Sequence, residues 1–141
     1  MTRRAPRGYT LIELMLVVAV IACLAAIAVP KFASALRNAN EAATKGKLGG
    51  IRTSLAVYYA DTEGTYPSDL TPLLQPGSRY LTQVVPLYTG HHGTSSDIHC
   101  LSAKDDDDSG AWGYVNAGPD IGHIWVQCTH TDLKGNAWNQ Y

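Results

Sequence analysis

The sequence predicts an α+β protein, with one long N-terminal α-helix, membrane-spanning over its first half, followed by a small antiparallel β region. Three observations predict it. From Leu14 to Val29, sixteen consecutive residues carry no charge and, Cys23 apart, no hydrogen-bonding side chain. Helical spacing of apolar residues then continues to about Ala60. Beyond it, short runs rich in Trp, Tyr, Val and Ile alternate with Gly-, Pro- and Asp-rich connections.

The elements follow in chain order. Residues 1–8 are basic, with Arg3, Arg4 and Arg7, and contain Pro6 and Gly8. Residues 9–29 are apolar apart from Glu13 and, at about 1.5 Å per residue, cover about 30 Å, one bilayer core. The flanking arginines predict a cytoplasmic N-terminus and an extracytoplasmic remainder. Residues 30–60 read as an amphipathic half, with Phe32 and Leu36 four apart and Ile51, Leu55 and Tyr58 at helical spacing. Pro30, Gly46, Gly49 and Gly50 weaken this helix, which is expected to bend rather than end. In the remaining region, 61–141, Asp61-Thr62-Glu63-Gly64 is a stop signal. Thr65 to Pro86 reads as a loop with a short helix around Ser68 to Leu74. Thr89 to Ser96 and Lys104 to Gly110 should be exposed. Ala111 to Asn116 and Gly122 to Thr129, separated by Ala117-Gly118-Pro119-Asp120-Ile121, predict an antiparallel hairpin, and Lys134 to Tyr141 a last short strand.

Charge and motifs exclude several function classes. The net charge of −1 becomes −4 once the three N-terminal arginines are set aside, and residues 53–141 hold three Lys and Arg against ten Asp and Glu. Unaided nucleic-acid binding is therefore not expected. Three cysteines make no disulfide scaffold, and neither C-x-x-C nor C-x-x-C-H occurs. No nucleophile elbow or Gly-rich phosphate loop is present, so the chain reads as a non-enzyme.

Gly8-Tyr9-Thr10-Leu11-Ile12-Glu13-Leu14-Met15, preceded by arginines and followed by an apolar run, resembles the processing site of type IV pilins and pseudopilins. That resemblance implies cleavage after Gly8 by a prepilin peptidase, methylation of the new N-terminus at Tyr9, and polymerisation through the apolar helices. Tyr9 stands where most members have phenylalanine. The chemistry of Glu13 fits the same reading. A carboxylate in an apolar membrane helix costs about 2.5–3.5 kcal/mol and requires a partner, yet no basic side chain occurs from Tyr9 to Val29. The amine of a cleaved Tyr9 on a neighbouring subunit is the obvious one, and the resemblance implies that role. Thr10-x-x-Glu13 is also a capping box, and both roles can hold in turn. Ala26-Ile27-Ala28 offers a rival, an ordinary secretory cleavage site. Glu13 and the helix that continues past the cut argue against it.

Asp61-Thr62-Glu63-Gly64-Thr65-Tyr66-Pro67 resembles the segment after the long helix in major pseudopilins of type II secretion, so the resemblance covers about residues 1–75. It implies a pilin-like fold, with the antiparallel sheet packed on the C-terminal half of the helix. Cys100 and Cys128 both lie in the extracytoplasmic region, where a disulfide of the kind many type IV pilins carry is expected to add about 3–4 kcal/mol. Cys23 reads as a small apolar packing residue. Asp105, Asp106, Asp107 and Asp108 could hold calcium, as the major pseudopilins do in a C-terminal loop, or form a solvated acidic loop. His91, His92, His99, His123 and His130 show no zinc spacing and read as surface polar residues.

The expected function is that of a structural subunit of a type IV filament, for type II secretion or a pilus. Its expected partners are copies of itself, the prepilin peptidase, an inner-membrane assembly platform with minor pilins, and the membrane, with no cofactor beyond possible calcium. The precursor would sit in the inner membrane and the assembled filament in the periplasm or outside the cell. The alternative is a secreted or membrane-anchored module that binds a ligand or metal through its His-rich and acidic loops without polymerising.

Overall fold

The computed structural model describes residues 8–83, 86–105 and 107–141. The basic stretch expected to act as a leader lies outside them except for Gly8, as does Asp106. One helix, α1, runs from Leu11 to Asp61 through Pro30 and all three helical glycines. The chain divides into two units, one ending at Leu36 and one from Arg37 to Tyr141.

In the first unit every described residue is exposed, including Leu11, Ile12, Met15, Leu16, Ile21, Leu24 and Ile27. By length and composition α1 can cross a membrane.

In the second unit, α1 buries Glu41, Thr44, Leu48, Ile51 and Leu55. Their alternating spacing of three and four is a stripe down one helix face. The helix stops where the stop signal lies: Glu63 and Gly64 both take left-handed backbone, φ 55° and 90°, and Gly64 N–H donates to the Tyr59 carbonyl at 2.9 Å. A single 3₁₀ turn, Thr71–Leu74, follows, inside the stretch expected to hold a short helix.

Among the described residues, three strands complete the unit: β1, Ile98–Leu101; β2, Trp112–Val115; and β3, Ile124–Val126, in spatial order β1-β2-β3. β2 and β3 form the predicted antiparallel hairpin, Trp112 opposite Val126 and Tyr114 opposite Ile124. These four side chains join Leu48, Ile51 and Leu55 in one core with Leu70, Leu73, Leu87, Cys128 and Trp138. The sheet is mixed rather than wholly antiparallel, because β1 runs parallel to β2, Ile98 beside Trp112. The ten-residue acidic connection, a little shorter than the usual parallel crossover, returns the chain for that pairing. No strand forms at Lys134 to Tyr141. The chain makes one bridge, Thr131 to Ala137, then a 3₁₀ turn at Trp138–Gln140 that buries Trp138.

The expected disulfide is absent, and Cys100 and Cys128 are free thiols. Cys100 sits on β1 and Cys128 just beyond β3, the two edges of the sheet. Strands two apart are separated by about 9.6 Å, already beyond the roughly 6.8 Å that a disulfide spans between Cα atoms.

Three basic residues of the second half of α1 are used within their own unit. Lys45 pairs with Asp132, Lys47 Nζ donates to the Pro86 carbonyl at 2.7 Å, and an Arg52 guanidinium nitrogen donates to the Ile124 carbonyl at 2.9 Å.

Candidate functional site

The sequence points first to the N-terminus of α1, where the structure shows how Glu13 is held. Its Oε2 accepts from the Thr10 backbone N–H at 3.0 Å and from the Thr10 hydroxyl at 2.9 Å, while the Glu13 N–H donates to Thr10 Oγ1 at 3.3 Å. This reciprocal pair is the capping box that the Thr10-x-x-Glu13 spacing predicts. It places a carboxylate at the positive end of a 51-residue helix. Tyr9 lies one residue before Thr10, outside α1, and is 83% exposed. From there to Val29 the helix offers only apolar surface, with shallow grooves lined by Leu14, Met15, Val18, Ala19 and Ala22 on one side and by Leu16, Ala19, Val20, Cys23 and Leu24 on another. Such a surface does chemistry with no one. What it can do is pack, against lipid or against other apolar helices.

The other residues singled out by sequence lie in the second unit, and the structure disperses the acidic run. Asp105 is exposed. Asp107 Oδ2 lies 4.0 Å from His99 Nδ1. Asp108 turns the other way: Oδ1 is 3.1 Å from His92 Nε2 and accepts from the Thr129 N–H at 2.8 Å, and Oδ2 is 3.3 Å from His130 Nδ1. The Thr129 N–H, aided by His92 and His130, lowers the Asp108 carboxyl to about 2. Cys128, fully buried, lies 3.7 Å from His130 Nδ1, and burial pushes its thiol above the usual range.

The grouping of His92, Asp108, Cys128 and His130 was not predicted. Cys128-x-His130 was its one local trace, and the other two residues come from loops 20 and 36 positions earlier, a separation that matches no spacing rule.

Comparison with known proteins bears on the N-terminal segment. Residues 3–29 match the family described as "Prokaryotic N-terminal methylation motif". The chain is 36% identical over 69 residues to the fimbrial protein EcpC of Eikenella corrodens, covering 49% of this chain and 44% of that protein. It is 33% identical over 76 residues to the type IV major pilin protein PilA of Myxococcus xanthus, covering 52% and 34%. It is 40% identical over 68 residues to the type II secretion system core protein G of Pseudomonas aeruginosa, covering 48% and 47%. The chain spans half or less of the length of each of these relatives. No solved structure matches. The capped Glu13 and the wholly exposed apolar helix coincide with the methylation motif, and over this N-terminal region the chain is similar to type IV pilins and to a type II secretion core protein.

Proposed function

We propose that the protein is a structural subunit of a type IV filament, made as an inner-membrane precursor with its N-terminus in the cytoplasm and cut after Gly8 by a prepilin peptidase. The observation that carries this reading is the N-terminal half of α1, which is apolar and exposed along its length and has one carboxylate, Glu13, at its start. A bilayer holds such a helix before assembly. A bundle of the same helices, one from each subunit, holds it afterwards.

Glu13 supplies the register. Cleavage converts the Tyr9 amide nitrogen into an ammonium group. In a helix bundle the Glu13 carboxylate exchanges its own Thr10 N–H for the Tyr9 ammonium of the adjacent subunit, and the ion pair fixes the axial stagger. The membrane platform and minor pilins that start and extend such filaments are the partners this mechanism requires, and the work is done by assembly, without a catalytic group. Relatives among both pilins and a secretion core protein are consistent with either a pilus or a secretion fibre.

Intact mass with N-terminal fragmentation, on protein recovered from the native host, tests the reading. A mature chain starting at a methylated Tyr9 is expected. A start at Val29 would mean that the apolar helix is a discarded signal and that the protein is a released soluble domain.

A further inference from the structure

Three connections far apart in the chain deliver four ligand atoms to one place. His92 comes from the turn before β1, Asp108 from the connection between β1 and β2, and Cys128 and His130 from the segment leaving β3. The ring nitrogen of each histidine, a carboxylate oxygen and the Cys128 sulfur all lie within 4.8 Å of one another. Three of the separations, His92 to Asp108, His130 to Asp108 and Cys128 to His130, are 3.1, 3.3 and 3.7 Å. A tetrahedral ion with bonds of about 2.0–2.3 Å sets its ligands about 3.3–3.8 Å apart, so small side-chain adjustments close the shell.

The seat is built by the surrounding backbone and rings. Gly110 has φ +70°, and a Cβ there would lie 2.5 Å from His92 Cβ and 2.6 Å from Cγ, so the glycine makes the room that His92 occupies. The His91 ring stacks on His130 at 4.4 Å with 10° between planes, and its Nε2 lies 3.2 Å from the Thr131 carbonyl, which holds the His130 ring in place. Cys128 closes the protein side, while the exposed Asp108 and His130 leave the solvent side open to an arriving ion.

The donor set decides the ion. One sulfur, two imidazole nitrogens and one carboxylate suit a borderline divalent cation, whereas calcium takes six to eight oxygens. We infer that His92, Asp108, Cys128 and His130 bind one zinc-class cation, which staples the three connections at the edge of the core. Binding removes the Cys128 thiol proton and uses the lone pairs of two neutral imidazoles, so it releases protons and weakens in acid. The inference involves no residue of the N-terminal segment and stands or falls separately from the filament reading.

Cobalt(II) titration of the purified chain in detergent, reduced and stripped of metal by a chelator, is the test. One equivalent should give a thiolate-to-cobalt charge-transfer band with the intense visible bands of a tetrahedral site. One equivalent of zinc should abolish both and raise the thermal midpoint by about 5 °C or more when in hundredfold excess over its Kd. Cys128→Ser should lose the charge-transfer band, and Cys100→Ser should keep it. Loss of an outer partner alone costs roughly 10–100-fold in metal affinity, so His130→Ala should weaken binding by roughly a hundredfold or more. His130 is exposed, so this variant carries the test even where Cys128→Ser does not fold. Absence of the tetrahedral spectrum, an unchanged spectrum in Cys128→Ser, undiminished affinity in His130→Ala, or a thermal shift given by calcium and not by zinc would each overturn the inference.

Discussion

Asp132 is where the last segment of the chain closes onto α1. Its side chain is fully buried, with Oδ2 accepting from Lys45 Nζ and from the Tyr141 hydroxyl at 2.7 Å, and Oδ1 from the backbone N–H groups of Lys134 at 2.8 Å and Asn136 at 2.9 Å. Burial alone would raise its carboxyl. The donors outweigh burial and hold it well below the usual carboxylate range. In the unfolded chain the same group titrates near about 3.9. Its contribution to stability is therefore complete above about pH 5 and drains away as pH falls past 4 toward the folded value. Denaturant midpoints measured from pH 7 to pH 2 should be level and then decline. Asp132→Asn should lower stability by about 2 kcal/mol at neutral pH and make the acid decline shallower. Equal slopes in the two proteins would show that Asp132 does not supply the acid sensitivity.

Among the elements, β2 gives the sharpest contrast in what a glycine does. Gly113 lies opposite Trp125, and a Cβ at Gly113 would run into the Trp125 indole. Gly113→Ala should cost about 2 kcal/mol through overpacking, read as a lower thermal midpoint. Gly50, on an exposed turn of α1, has open space where a Cβ would stand. There, Gly50→Ala should stabilise by about 0.5–1 kcal/mol.

The same elements show what a reader of the sequence can see. The α1 stripe, the stop at Asp61 to Gly64 and the hairpin of β2 and β3 were all legible, because each is written in local spacing and turn chemistry. The parallel β1 was not, since its pairing with β2 depends on where a ten-residue connection returns the chain. The run at Lys134 to Tyr141 looked strand-like, but Trp138 is better buried by a turn than by an extended segment. At the candidate sites the capping box was legible for the same local reason. The disulfide expectation failed because nothing in the spacing of Cys100 and Cys128 reveals that they flank opposite edges of one sheet. His92 and Asp108 meet Cys128 and His130 only through that sheet.

For the molecule as a whole, the division at Leu36 makes a direct prediction. Residues 37–141 contain all the core side chains among the described residues, so this fragment should be a soluble monomer with one cooperative unfolding transition. Aggregation, or the absence of a transition, would show that the second unit needs the apolar segment. The register role of Glu13 is tested in cells lacking the native copy. Glu13→Ala should reduce filament mass severely while leaving the precursor in the membrane, and normal filament mass would refute the ion-pair stagger. Because the capping contacts of Glu13 tie down only the first turn of α1, loss of the cap by itself would not abolish assembly.

The partners of the second half of α1 lie far along the chain. Thr44 Oγ1 accepts from Tyr88 N–H, Glu41 accepts from Leu133 N–H, and Lys45 reaches Asp132 and Tyr141, sequence separations of 44, 92, 87 and 96. Closing loops of that length delays the reward for ordering the chain and puts folding of this unit toward the slow end of small domains. During synthesis, the apolar start of α1 emerges first and can enter the bilayer while the residues that will cover Leu48, Ile51 and Leu55 are still unmade. On the proposed reading, membrane insertion can therefore precede folding of this unit. A chain stalled shortly before Asp132 would lack the buried partner of Lys45 and stay unfolded, a natural substrate for proteases.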